Sequence, residues 1–320
     1  MTFLINLVQL LIFPGLLFCV VFGVLMAGID RKLVARMQRR VGPPILQPWY
    51  DFVKCCAKET IIPRCAKKAI FIGAPYLGLA CLIVIALFIP VGSYGSAFTA
   101  GADLVVILYL LTIAGVTLII GASSTGSPYA GVGLSREMVT IISCELPLVL
   151  VLLAIGKTVG DAMGTGLTFS MTKIAEYQIH NGSLILHPSM IPAAIAFLMI
   201  IPGETGNHPF DAAEAETEIC EGLLAEYSGA PLGIFKLSHA VKMLTLTSMF
   251  VALFLGGIGT GLLVVDGVIM FALCVVLTAV SISFVHAVTA RLKIEQIFKY
   301  YWTVVTGLAL ISLVLAWYGL

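Results

Sequence analysis

The stretch GETGNHPFDAAEAETEICEGLLAEYSGAPLGIFK, residues 203–236, holds seven of the seventeen acidic side chains of this 320-residue chain. Runs of twenty or so uncharged residues occupy most of the remainder. An ionised carboxylate in hydrocarbon costs at least ~2.5 kcal/mol even on lenient insertion scales, so a membrane chain normally carries few acids near its spans. The contrast between the cluster and its surroundings therefore decides the fold and points towards function.

Outward from that stretch, composition places the chain in the membrane class. Sixty per cent of residues are hydrophobic, eleven per cent are charged, and the mean hydropathy is +1.07. At about 20 apolar residues per crossing, spans are expected near Phe3 to Ile29, Ile70 to Val91, Leu104 to Ile120, Met138 to Ile155, Met190 to Pro202, Leu237 to Gly256, Leu262 to Val285 and Tyr300 to Leu320. The predicted fold is one all-α polytopic membrane domain over residues 1–320, with eight transmembrane helices. The fifth run is short, and the mildly polar Asn181 to Ser189 before it allows an earlier start, a tilt or an interruption. The first run is too long for a signal peptide and lacks a basic stretch before it, so it is expected to remain.

Ten of the eighteen basic residues fall between Arg31 and Lys68, which predicts a cytoplasmic loop after the first span. Alternation then places Arg136, Lys236, Lys242, Arg291, Lys293 and Lys299 at or near the same side, with Lys157 and Lys173 outside. The acidic loop between the fifth and sixth spans falls beside the basic one. The formal charge of +1 thus hides a segregated distribution.

Covalent chemistry finds little support. The eight cysteines show no pair at the two-residue spacing of zinc or iron–sulfur ligands. Cys55, Cys56 and Cys65 form the one local cluster and read as small buried hydrophobes. His180, His187, His208, His239 and His286 lie at expected span ends or in loops, which disfavours haem. Neither a phosphate-cradling lysine loop nor a metal-binding histidine pair occurs.

Candidate charge carriers are few. Glu145, in Ser143-Cys144-Glu145-Leu146-Pro147, is the one acid expected deep in a span, where a carboxyl should face the bundle interior or water and serve a proton relay. A structural hydrogen bond to a neighbouring helix is the competing role. Arg136 and Glu137 open the same helix and either pass charge inward or anchor the interface. Pro209-Phe210-Asp211-Ala212-Ala213-Glu214 reads as a helix start with Asp211 at the N-cap, and Asp211, Glu214, Glu218 and Glu221 then form one stripe. Like charges so spaced disfavour a helix, so a water-filled access route, a docking surface, or both are expected. Lys236, His239 and Lys242 follow at three-residue intervals; Lys242 either pairs with the acids or snorkels. Asp103 and Asp266 read as interfacial.

Two stretches carry a resemblance. The first runs Asp30-Arg31-Lys32, Ala35-Arg36-Met37-Gln38-Arg39-Arg40-Val41-Gly42-Pro43-Pro44, Leu46-Gln47-Pro48, Asp51, Lys54 and Lys58-Glu59. The second is Pro209-Phe210-Asp211, Glu214-Ala215-Glu216-Thr217-Glu218 and Glu226-Tyr227-Ser228-Gly229. With Glu145-Leu146-Pro147 and Arg291 to Glu295-Gln296, they resemble the complex I membrane subunit 1 family over nearly the whole chain. The short Gly42-to-Pro48 segment, Glu221-Gly222 and Ala240-Val241-Lys242 look more like the anchor of energy-converting membrane-bound nickel–iron hydrogenases than the quinone-reducing branch. The resemblance implies a prokaryotic cell-membrane protein that itself holds no cofactor. It implies partner hydrogenase large and small subunits carrying the nickel–iron and iron–sulfur groups, antiporter-like membrane subunits and lipid, and no nucleic acid. Arg36, Arg39, Arg40, Asp51 and Lys54 would then dock the redox module. Glu137, Glu145, Asp211, Glu214, Glu216, Glu218, Glu221, Glu226 and Lys242 would relay charge. The rivals are a quinone-binding subunit, a freestanding transporter, for which no internal symmetry is evident, and a scaffold across which no ions move.

Overall fold

The computed structural model describes residues 10–12, 15–91, 102–164, 166–257 and 262–319. Its helices are α1 (Leu16–Met37), α2 (Gln47–Ala57), α3 (Lys68–Phe88), α4 (Leu104–Ser123), α5 (Pro128–Ala162), α6 (Met171–Asn181), α7 (Met190–Thr205) and α8 (Gly229–Phe254). Two more are interrupted by π turns: α9 (Leu263–Thr278, continuing through Ala279–Ser283 to Phe284–Val288) and α10 (Ile294–Tyr300, through Tyr301–Val305 to Thr306–Tyr318). Six helices, α3, α4, α5, α8, α9 and α10, are long and apolar enough to cross a membrane, and α7 is a shorter apolar helix. Helix α1, whose last turns carry Asp30, Arg31, Lys32 and Arg36, covers the described part of the expected first span. The expected first span begins at Phe3, but residues 1–9, 13 and 14 lie outside the described residues, as does Leu320 at the end of the last.

Several boundaries differ from the hydropathy reading. Helix α5 runs 35 residues, about 52 Å at 1.5 Å per residue, well beyond a ~30 Å hydrocarbon layer, so Arg136 and Glu137 lie more than two turns inside it rather than at its start. Helix α8 begins at Gly229 rather than Leu237, because Ser228 and Gly229 turn the chain directly into it. The short fifth helix does not begin earlier. The amphipathic α6 and a 3₁₀ turn, Leu184–Leu186, precede it, and α7 ends at Gly206 in the left-handed conformation.

Helix α8 is the pillar. Of its most apolar stretch 83% is buried, against 33–56% for the other five long apolar helices, and it touches α1, α2, α3, α7 and α9. Small residues allow the close approaches. A Cβ on Gly23 would stand 3.1 Å from the Ala240 carbonyl, so α1 and α8 meet backbone to backbone there.

The basic and acidic segments meet at one end of the bundle. The Ile61 amide donates to Ser228 Oγ (3.0 Å), and Gly229, at φ +66°, leaves room for Glu59 and Thr60, which a Cβ would strike. Tyr227 stacks on Phe71 at 4.1 Å and meets Phe235 edge-on at 5.0 Å. Burial pushes the Tyr227 phenol up to about 12, so it remains a neutral wedge. Glu226-Tyr227-Ser228-Gly229 is therefore a structural joint between the two loops.

Candidate functional site: a polar cavity reaching into the bundle

A cavity of about 510 Å³ opens where α1, α2, α7, α8, the acidic segment and the α9–α10 connection converge. Its wall includes Asp30, Asp51, Glu137, Glu204, Asp211, Glu214, Glu221, Lys236, His239, Lys242 and Arg291. Its inner end is an ion pair: Lys242 Nζ lies 3.0 Å from Glu204 Oε1, with side chains 13% and 3% exposed. Two charges this far from water hold only as a pair. Helix α8 supplies the lysine, and the last turn of α7 supplies the glutamate.

Glu204 belongs to the site but escapes the hydropathy reading, which ends the fifth span at Pro202. The helix tolerates that proline and continues to Thr205. Glu145 is consequently not the one acid deep in a span: Glu137 and Glu204 join it. Glu145 does not line the cavity, yet lies within Coulombic reach of Glu204. Glu137 is similarly close to both Lys242 and Glu204. The Oε1 of Glu145 and the Oε2 of Glu204 are buried with no hydrogen-bond partner. Orphaned acceptors of this kind call for a proton or a water.

At the mouth, Glu214 takes up the connection. Burial, reinforced by Glu137, Asp211 and Glu221, raises its carboxyl to about 7, so it is half protonated near neutrality. Glu214, Glu137, the Glu204–Lys242 pair and Glu145 thus form a succession of titratable groups from the acidic segment into the bundle.

The expected helix with an Asp211 cap and a four-acid stripe does not form. Residues 211–215 make turns, and the helix in this segment is only Glu216–Ile219. Tertiary cations draw the acids apart. Asp211 accepts from Arg291 Nε (2.9 Å) and Nη2 (2.6 Å), and Glu218 accepts from Arg136 Nη1 (2.7 Å), which holds its carboxyl below the usual range. Glu218 and Glu226 are exposed away from the cavity, Glu221 is exposed at its rim, and the Glu216 side chain lies outside the described residues.

Other sequence expectations shift as well. His239 lines the cavity ten residues into α8, not at a helix end. Cys56 and Cys65 are exposed and Cys55 borders the cavity, so the trio is not buried filler. Asp266, in the first turn of α9, is 1% exposed and lines a small second cavity with Pro90, Ala175, Gly256 and Gly257. Arg36, Arg39, Arg40 and Lys54 are exposed, whereas Asp51 borders the cavity and accepts from Arg31 (3.2 Å) and Gln47 (3.0 Å). Asp30, buried in α1, accepts from Ser283 Oγ (2.6 Å), which the π turn of α9 presents. Among the described residues, no three His, Cys, Asp or Glu side chains are placed to hold a metal.

Comparison with known proteins fits this architecture. Residues 8–317 match the family described as NADH dehydrogenase. The chain belongs to that family. It is 32% identical over 307 residues to a subunit of the NADH-quinone oxidoreductase of Syntrophotalea carbinolica, covering 90% of this chain and 89% of that one. It is also 34% identical over 231 residues to hydrogenase-4 component C of Escherichia coli, covering 72% and 70%. A solved structure, the membrane-bound sulfane sulfur reductase, an archaeal respiratory membrane complex, contains a chain that superposes with a TM-score of 0.86 at 29% identity, covering 98% of this chain and 99% of that one. The protein is thus a polytopic helical membrane member of the complex I membrane subunit 1 family, whose relatives include hydrogenase membrane components.

Proposed function

We propose that this chain is the membrane-anchor and energy-coupling subunit of a multisubunit respiratory complex. It docks a cytoplasmic ferredoxin-linked nickel–iron hydrogenase module and links that module's redox reaction to proton or ion movement. The observation that carries the reading is the continuity of titratable groups from Glu214 through Glu137 and the Glu204–Lys242 pair to Glu145. Ionisable groups are expensive within a membrane and persist there chiefly for function.

The redox metals belong to the partner subunits. Arg36, Arg39, Arg40 and Lys54, exposed on the basic loop, offer the docking charge. Relatives on both the quinone and hydrogenase sides are comparably similar. The short Gly42-to-Pro48 segment, folded back so that the Ile45 backbone lies against Gly28, favours the hydrogenase side. The second reading, a quinone-binding subunit, is favoured by the cavity, whose 510 Å³ falls within the ~300–1,000 Å³ typical of small-molecule sites.

Purification with the bound partners, followed by hydrogen evolution from reduced ferredoxin, tests the assignment. Hydrogen evolution with co-purifying nickel supports it, and quinone-dependent turnover transfers the chain to the second reading. Within the complex, Glu145→Gln is expected to assemble normally while lowering ion pumping per turnover. Wild-type pumping by that variant removes Glu145 from the path.

A further inference from the structure

The Nε2 atom of His208 faces two incompatible neighbours. Asp211 Oδ2, 3.1 Å away, can only accept a hydrogen bond, whereas Arg291 Nη2, 3.3 Å away, can only donate one. A ring nitrogen bearing hydrogen serves the aspartate, and one bearing a lone pair serves the arginine. The neutral imidazole chooses between them by tautomer, but the protonated ring has no lone pair left and sets a cation against the guanidinium.

Both neighbours belong to a clasp. Asp211 and Arg291 form the bidentate pair between the acidic segment and the α9–α10 connection, and beside it the Leu292 amide donates to the Pro209 carbonyl at 3.1 Å. The same Asp211 Oδ2 receives Arg291 Nη2 at 2.6 Å, so a hydrogen bond from charged His208 competes for that oxygen while repelling its present partner. His286 of α9 stacks on His208 with centroids 4.8 Å apart.

We propose that His208 is a proton-binding site whose protonation loosens the Asp211–Arg291 clasp. The charged and titratable groups around the same cavity are Asp30 and Arg31 of α1, Asp51 of α2, Glu137 of α5, Glu204 of α7 and Lys236, His239 and Lys242 of α8. Among the described residues, His286 of α9 and Glu214 and Glu221 of the acidic segment line it as well. Asp30 lies within Coulombic reach of His286. The clasp is expected to respond to the His208 proton across the range where an imidazole titrates. This holds whatever reaction the docked module performs.

The Leu292 amide reports the clasp directly, by hydrogen–deuterium exchange on the intact complex at pH 6 and pH 8 after correction for intrinsic exchange. A one-unit difference in the His208 pKa between closed and open clasps makes Leu292 up to about tenfold less protected at pH 6. His208→Gln, whose amide both donates and accepts without charge, is expected to abolish the difference. Should that variant fail to assemble, Asp211→Asn gives the second reading: low protection at both pH values and no step. Equal wild-type protection at both pH values overturns the proposal, and so does a step that persists in either variant.

Discussion

Lys242 and Glu204 each stabilise what would otherwise be a buried, uncompensated charge. Removing one partner costs about 3–5 kcal/mol, whereas replacing both by apolar or neutral groups is often nearly neutral. Lys242→Met is therefore expected to lower the thermal stability of the purified complex strongly, and Lys242→Met with Glu204→Gln to recover most of the loss. A double variant no better than the single would show that the pair is not the unit. Glu214 makes a pH prediction of known sign. Its folded value, about 7, lies above the ordinary 4.5, so its contribution to stability is fully present below about 4.5 and is lost as pH rises through about 7. Melting temperatures across that window should fall less steeply with rising pH in Glu214→Gln than in wild type. Lys242 and Glu145 are legible in the sequence because each interrupts an apolar run. Glu204 is not, since a proline two residues earlier imitates a helix stop that the folded α7 ignores.

At the level of elements, hydropathy locates the apolar helices but misplaces their ends, because α5 begins at Pro128 after Ser127 and α8 at Gly229 after Ser228, well before the apolar run of either. The acidic segment departs from expectation for a different reason. Its local spacing favours a capped helix, while Arg136 and Arg291, distant in sequence, offer each carboxylate a stronger partner. Amphipathic α2 and α6 escape the hydropathy pattern because neither is long or apolar enough to register as a span. The seat of the basic loop depends on α1: a Cβ on Gly28 would collide with the Ile45 carbonyl, whose carbon would lie 2.9 Å away. The obstacle is backbone and cannot rotate aside. Gly28→Ala should cost about 1–3 kcal/mol and raise proteolytic nicking within residues 38–46, as limited digestion of the purified complex would reveal.

Across the whole molecule, charge is sorted into a basic exposed loop and an acidic segment that folds back on the bundle, joined at Ser228 and Gly229. The outward-facing Arg36, Arg39 and Arg40 suit electrostatic capture of a partner, an effect that salt screens. Reversing all three to Glu should weaken association with the peripheral module more at about 50 mM than at about 300 mM salt, as measured by co-purification. Equal association at both would place docking elsewhere. The joint also imposes a timetable on synthesis. Ile61 and the Ser228 that receives its amide are 167 residues apart. At ~5–20 residues per second the ribosome needs roughly 8–30 s to deliver the second after the first. During that interval the basic loop has emerged without its seal, and the apolar helices α3, α4, α5 and α7 are made before closure can begin. Until Ser228 arrives, the nascent chain leaves that loop open to proteases and chaperones.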